Sequence, residues 1–297
     1  MTGIDTAPAT GCGHQDGSGL DPRLAAELGL NFPESHYDAR SLAVMAVAMM
    51  KKNGAELALL PFCCTVEAEA LGGRINLGNA SVGPRPADSI YQSVEEFMAA
   101  GREMDIFSGR PAAILKACDL MAAEGREVAV EISGPLSILS GLMEMSKIIK
   151  TWRKDETLLA RAFEHLGRQI IRYALALKES GASIISYADP IAAPKIIGPT
   201  YSRALAESFL VRFLDELRTG LQGRMVHLCP NTARLLVDCG LGHWNPIRLS
   251  PGLSYQQGCL ELKGRVDFLG QACLKRLNYR LPEGVINEFK LNTSTAA

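Results

Sequence analysis

The chain has no hydrophobic run long enough to cross a bilayer. The most apolar helical stretch, residues 41–50, stops at Lys51-Lys52, well short of the roughly 20 residues a span requires. It also lacks a basic start followed by an apolar core, since Met1-Thr2-Gly3-Ile4-Asp5-Thr6 offers neither. These two absences predict a cytoplasmic protein with no membrane contact. An excess of one charge is missing too. The 31 Lys and Arg residues face 32 Asp and Glu, for a net charge of -1. No long single-sign block occurs, so nucleic acid is not an expected partner. There is no repeat period, no dividing linker and no Gly-x-Gly-x-x-Gly after a strand, which removes support for a dinucleotide-binding sheet.

What is present is a soluble core and a set of thiols. At 297 residues and 47% hydrophobic, the chain suits one large α/β barrel or two smaller domains. Its eight cysteines are Cys12, Cys63, Cys64, Cys118, Cys229, Cys239, Cys259 and Cys273. In a reducing compartment they are core fillers, metal ligands or nucleophiles, not a disulfide framework. Residues 1–20 are rich in Gly, Thr, Ser and Asp and read as a flexible tail; Cys12 and His14 within it are expected to be exposed and idle.

Beyond the tail, strands and helices alternate. Strands are expected at 56–62, 127–133, 182–187, 224–229, 246–250 and 265–269. Helices are expected at 38–52, 89–100, 111–124, 155–180, 200–218, 231–238 and 253–263, with a helical tail after 269. Strands separated by helices imply parallel pairing through right-handed crossovers. The expected fold class is therefore α/β, a (β/α)8 TIM-type barrel. It forms a single domain over 21–297, and closure from six recognisable strands is inferred.

In such a barrel, the C-terminal strand ends gather at one mouth. Four segments hold that position: Pro61-Phe62-Cys63-Cys64-Thr65-Val66-Glu67-Ala68-Glu69, Ala188-Asp189-Pro190, His227-Leu228-Cys229 and Gly270-Gln271-Ala272-Cys273. Strand side chains alternate, so His227 and Cys229 project from one side. An imidazole and a thiolate held that way are two of the three protein ligands of an open zinc site. Cys273 and Cys259 compete for the third position. Cys273 follows its strand as Cys229 ends its own, whereas Cys259 lies in a crossover helix and reads as a filler. Glu67 and Glu69 follow a strand end, as a displaceable ligand or proton holder, or as first-turn acids favoured by the helix dipole. Asp189 is placed to orient His227 or a substrate, or to cap the loop after it. Two thiolates and one neutral imidazole leave zinc without net charge. A third thiolate makes the centre anionic, which suits attack on an electrophilic methyl group better than the hydrolysis run by His-rich sites.

At these residues the chain resembles the uroporphyrinogen decarboxylase-like superfamily. Within it, the nearest resemblance is to the cobamide-dependent methyltransferases that pass a methyl group from a corrinoid protein to coenzyme M. The resemblance covers about residue 38 to the C-terminus. It rests on 61–72, on Ser133-Gly134-Pro135, on Ala188-Asp189-Pro190-Ile191-Ala192 and on Val226-His227-Leu228-Cys229. It implies a barrel and zinc held by His227, Cys229 and Cys273. It also implies methylcobalamin on a corrinoid protein as donor, with a small-molecule acceptor such as coenzyme M or tetrahydrofolate. The Arg-rich opening of true uroporphyrinogen decarboxylases is missing: residues 30–45 contain only Arg40, too few cations for the tetrapyrrole carboxylates. The interval from Cys229 to Cys273 is shorter than the family's, which implies a compressed C-terminal part, and Pro230-Asn231 stands where Gly is frequent. A metal-free lyase and a non-catalytic corrinoid-binding relative are the rival readings.

Overall fold

The computed structural model describes residues 20–292. The tail, with Cys12 and His14, lies outside the described residues up to position 19. The described chain forms two compact units, one ending at Ile191 and the other starting at Ala192.

The first unit is built on three parallel strands. β1 (Ala58–Leu60) starts them. The short strands β2 (Ile75–Asn76) and β3 (Arg85–Pro86) follow as an antiparallel pair of their own, and then β4 (Val128–Ser133) and β5 (Ile184–Ala188). β4 is central, paired in parallel with β1 (Ala58↔Val128) and with β5 (Ser133↔Ala188). Its Val128, Ala129, Val130 and Ile132 are buried, as expected of a parallel strand covered on both faces.

Helices make the crossovers. Asp38 caps the helix Ala39–Lys52 by accepting from the Ser41 N–H, and Lys51 and Lys52 lie in its last turn, where the dipole favours cations. The expected helix at 89–100 begins later, at Val94–Ala100, because the Ser93 hydroxyl accepts from the Glu96 N–H and starts it there. The longest helix, Glu156–Glu179, buries Leu159, Phe163, Leu166, Ile170, Tyr173 and Leu177 at helical spacing. Truncating Phe163 or Ile170 to Ala there costs about 2–5 kcal/mol. The chain leaves this helix through Gly181 at φ 86°, where an added Cβ would also meet the Ala122 methyl at 2.5 Å. Only glycine suits both conditions.

In the second unit the helical segments Pro199–Leu205 and Val211–Leu221 are joined by a π-helical turn, Ala206–Leu210. β6 (Val226–Leu228) follows and leads into the helix Pro230–Asp238. Next come β7 (Gly242–Arg248), the helix Tyr255–Glu261, β8 (Phe268–Leu269) and β9 (Val285–Leu291). Ser254 and Gln257 form a capping box at the start of Tyr255–Glu261. β6 and β8 are parallel, as expected, with His227 opposite Leu269.

Three expectations fail in this unit. The stretch after residue 269 is not a helical tail, since Val285–Leu291 is a strand. It runs antiparallel to β7 over seven residue pairs and to β8 at Leu269↔Glu288. The all-parallel expectation fails with it, and β7 begins at Gly242, not Pro246. The physical reason is long-range. Phe289 lies over Gly242, so that an added Cβ would come within 2.3 Å of the ring. Ile286 and Phe289 are fully buried by this pairing. Tertiary pairing of a Val/Ile/Phe-containing segment overrides its local pattern.

Candidate functional site

Glu67 and Asp189 lie in the first unit and close on the same turn. Glu67 sits in the short helix Val66–Ala70 and is buried. Its Oε1 accepts from the Ser133 N–H at 2.8 Å. Asp189 accepts from the Leu136 N–H at 3.1 Å, the Ser137 N–H at 3.0 Å and the Ser137 hydroxyl at 2.6 Å. The turn Ser133-Gly134-Pro135, which leaves β4 and opens the helix Pro135–Ser140, is thus gripped on both sides by carboxylates. Gly134 is obligatory. A Cβ there would stand 2.4 Å from the Asp189 Cβ and 2.5 Å from the Tyr187 hydroxyl. Asp189 therefore serves as a cap at a distance, satisfying N–H groups the helix cannot satisfy itself.

The two acids differ electrostatically. Burial raises the pKa of Glu67, against the opposing hydrogen bonds from the Ser133 and Glu67 backbone, and Glu131 adds to the rise. A carboxyl pushed upward in this way is the type of group that stores or passes a proton.

Beside this turn lies a network centred on Arg110, which the sequence alone did not single out. Arg110 opens the helix Gly109–Ala123 and its side chain is buried. Nε pairs with Glu69. One terminal nitrogen donates to Cys63 Sγ at 3.1 Å. The other donates to the Thr65 carbonyl at 3.1 Å and the Thr65 hydroxyl at 3.0 Å. Tyr37 donates to the other oxygen of Glu69, and burial, aided by Glu69, lifts its phenol to about 12. His36 is pushed down to about 4 by burial and by the Arg110 charge. The one local sign was a cation in an otherwise apolar helix start. Its partners lie more than 40 residues away.

His227, Cys229 and Cys273 all lie in the second unit. His227 is on β6, Cys229 directly precedes the helix Pro230–Asp238, and Cys273 follows β8. The His227 ring donates from Nε2 to the Ala272 carbonyl at 2.9 Å, so the proton is on Nε2 and Nδ1 is the basic nitrogen. The register of β6 and β8 sends Cys229 and the segment 270–273 off the same end of that strand pair. Tyr255 packs edge-on against His227, with ring centroids 5.9 Å apart. Cys259 is buried one helical turn from Tyr255, and burial drives its thiol far upward, as expected of a neutral filler. Among the described residues no cluster of three or more His, Cys, Asp or Glu is drawn together as a metal site. His243 is on β7 and contacts the Asn292 side chain at 2.9 Å. His165 sits in the long helix and bonds the Arg102 carbonyl at 2.9 Å.

A family model described as uroporphyrinogen decarboxylase (URO-D) matches residues 10–244, and the chain belongs to that family. Methylcobamide:CoM methyltransferase MtaA of Methanosarcina barkeri is 29% identical over 223 residues, covering 73% of this chain and 65% of that protein. Methylcobamide:CoM methyltransferase MtbA of Methanosarcina acetivorans is 26% identical over 207 residues, covering 69% and 60%. The chain thus spans less than two thirds of the length of these curated relatives. A solved structure of a methyltransferase from Methanosarcina mazei superposes with a TM-score of 0.63 at 25% identity, over 80% of this chain and 70% of that one. The fold class is α/β, and this likeness is to a protein of the URO-D, TIM-barrel type. His227 and Cys229 fall inside the family match, and Cys273 lies beyond its end.

Proposed function

We propose that the chain is a corrinoid-dependent methyltransferase that moves a methyl group from a methylated corrinoid, carried on a corrinoid protein, to a small acceptor, a thiol of the coenzyme M kind. The observation that carries this reading is the likeness to methylcobamide:CoM methyltransferases, beside a family match that includes His227-Leu228-Cys229. The family match runs across the junction at Ile191 and Ala192, which supports reading both units as parts of one family domain. Among the described residues no helix is long and apolar enough to cross a membrane. That agrees with the cytoplasmic location we assign.

The metal we assign is zinc, on His227, Cys229 and Cys273. The donor set fits it by kind: two thiols and one imidazole, leaving a fourth position for an acceptor. The hydrogen bond from His227 to the Ala272 carbonyl supports the assignment, because a ligating imidazole commonly donates its other N–H to such an oxygen. That bond fixes the ring and presents Nδ1. When bound, zinc supplies the ionisation of an acceptor thiol near neutral pH. The chain's own part is to hold the ring at a set tautomer and to offer Cys229 from the start of a helix. Glu67 is assigned as a proton-holding acid. Asp189 is assigned to the Gly134 turn as a positioning residue.

The test is anaerobic incubation of the protein with methylcobalamin and, in turn, coenzyme M, homocysteine and tetrahydrofolate, with zinc content measured in parallel. Demethylation with a thiol is expected. Turnover with tetrahydrofolate alone would keep the class and remove the thiol acceptor. No demethylation with any acceptor, in zinc-loaded protein supplied with a corrinoid carrier, would favour a lyase or a non-catalytic relative.

A further inference from the structure

Cys63 lies in the loop between β1 and the helix Val66–Ala70 and is half-buried. Its sulfur receives two donors, Arg110 at 3.1 Å and the Thr65 hydroxyl at 3.5 Å. Thiols react as thiolates, and donors aimed at sulfur, a guanidinium above all, stabilise the charge that develops there. The remaining Arg110 donors are committed to Glu69 and Thr65, so the guanidinium is held on the sulfur. By contrast, Cys118 and Cys259 are buried, and burial raises both thiols.

A second observation points to a small polar guest. The Tyr173 hydroxyl and His36 Nε2 are fully buried and have no hydrogen-bond partner. Burial raises the Tyr173 phenol, with Glu67, Cys118 and Cys63 contributing and Arg110 opposing, and His36 adjoins Tyr37, whose hydroxyl donates to Glu69 in the Arg110 network. His36 feels the same guanidinium. Buried polar atoms left unpaired call for a ligand or water.

We propose that Cys63 is an oxidation site for a small hydroperoxide, with Arg110 and Thr65 as the groups that activate its sulfur. The sulfur attacks one peroxide oxygen. An S–O bond forms as the O–O bond breaks, and the departing oxygen takes the electron pair and a proton from solvent, leaving as water or an alcohol. Cys63 loses two electrons and becomes a sulfenic acid; the peroxide is reduced. The site does not depend on the metal or methyl chemistry assigned above.

The experiment treats the whole, folded protein with stoichiometric hydrogen peroxide in the presence of dimedone. Adducts at every cysteine are then mapped and timed by mass spectrometry. Cys63 should be trapped first, ahead of the more exposed Cys64. Arg110→Lys should slow trapping at Cys63 by about tenfold, the effect of weakening one charge-assisted hydrogen bond, and leave Cys64 unchanged. If that variant fails to fold, Thr65→Val should slow Cys63 by a smaller factor, and the wild-type order of labelling stands as a test alone. Trapping that simply follows exposure, with Cys64 ahead of Cys63, would overturn the proposal. So would an unchanged Cys63 rate in a folded Arg110→Lys protein.

Discussion

Glu67 and Asp189 hold opposite sides of one turn. The first accepts from the Ser133 N–H at 2.8 Å, and the second accepts from the Leu136 and Ser137 N–H groups at 3.1 and 3.0 Å. Two acids that both follow strand ends thus do different work. Asp189 satisfies N–H groups of a helix start that have no partner within the helix. Glu67 is buried, with its acidity lowered by loss of water.

The tightest consequence concerns Gly134. A methyl group there would collide with the Asp189 Cβ at 2.4 Å and the Tyr187 hydroxyl at 2.5 Å. Gly134→Ala should therefore destabilise the protein by about 1–3 kcal/mol or more, the usual cost of overpacking a rigid site. Asp189→Ala, which strips three hydrogen bonds, should fall in the same range. Urea denaturation of both variants checks this, and wild-type midpoints would contradict the clamp.

Glu67 gives a pH prediction. Its folded-state pKa is raised above the ordinary 4.5, so above that value the folded state binds more protons than the unfolded one. Its contribution to stability is complete below the unfolded value and is lost as pH rises through the folded one. Glu67→Gln keeps an oxygen for Ser133 and removes the titration. The variant should gain stability relative to wild type as pH rises above the unfolded value of about 4.5, while turnover falls more than zinc content does. Equal pH profiles of stability for the two proteins would show that Glu67 ionises normally.

The metal prediction separates two cysteines. Purified protein should carry about one zinc per chain. Cys273→Ala should lose most of it, and Cys259→Ala should keep it. Elemental analysis giving the reverse order would move the third ligand to Cys259.

Much of this was legible in the sequence because it is local. The long helix Glu156–Glu179 shows in its apolar spacing and in Gly181, and the parallel strands show in runs such as Val128–Ser133. His227 and Cys229 were expected on one strand; His227 is on β6, and Cys229 lies just past its end, at the start of the helix Pro230–Asp238. What was not legible depends on distant partners. Val285–Leu291 becomes a strand because β7 is there to pair with it, and Gly242 is required by Phe289. The Arg110 network joins residues 36–37, 63–69 and 110, and no spacing rule links them. Asp189 was left open between an orienting and a capping role. It caps the helix Pro135–Ser140, more than 50 residues away in sequence.

The central claim is methyl transfer from a corrinoid with zinc on His227, Cys229 and Cys273. Its most direct test follows the absorption spectrum of methylcobalamin, mixed anaerobically with coenzyme M and the protein, before zinc removal, after chelation and after zinc is restored. The account predicts conversion to cob(I)alamin at neutral pH, where a free thiol with a pKa of about 8.5 is mostly protonated. It predicts loss of that conversion on chelation and recovery with zinc. Conversion that proceeds equally in the chelated protein would contradict it.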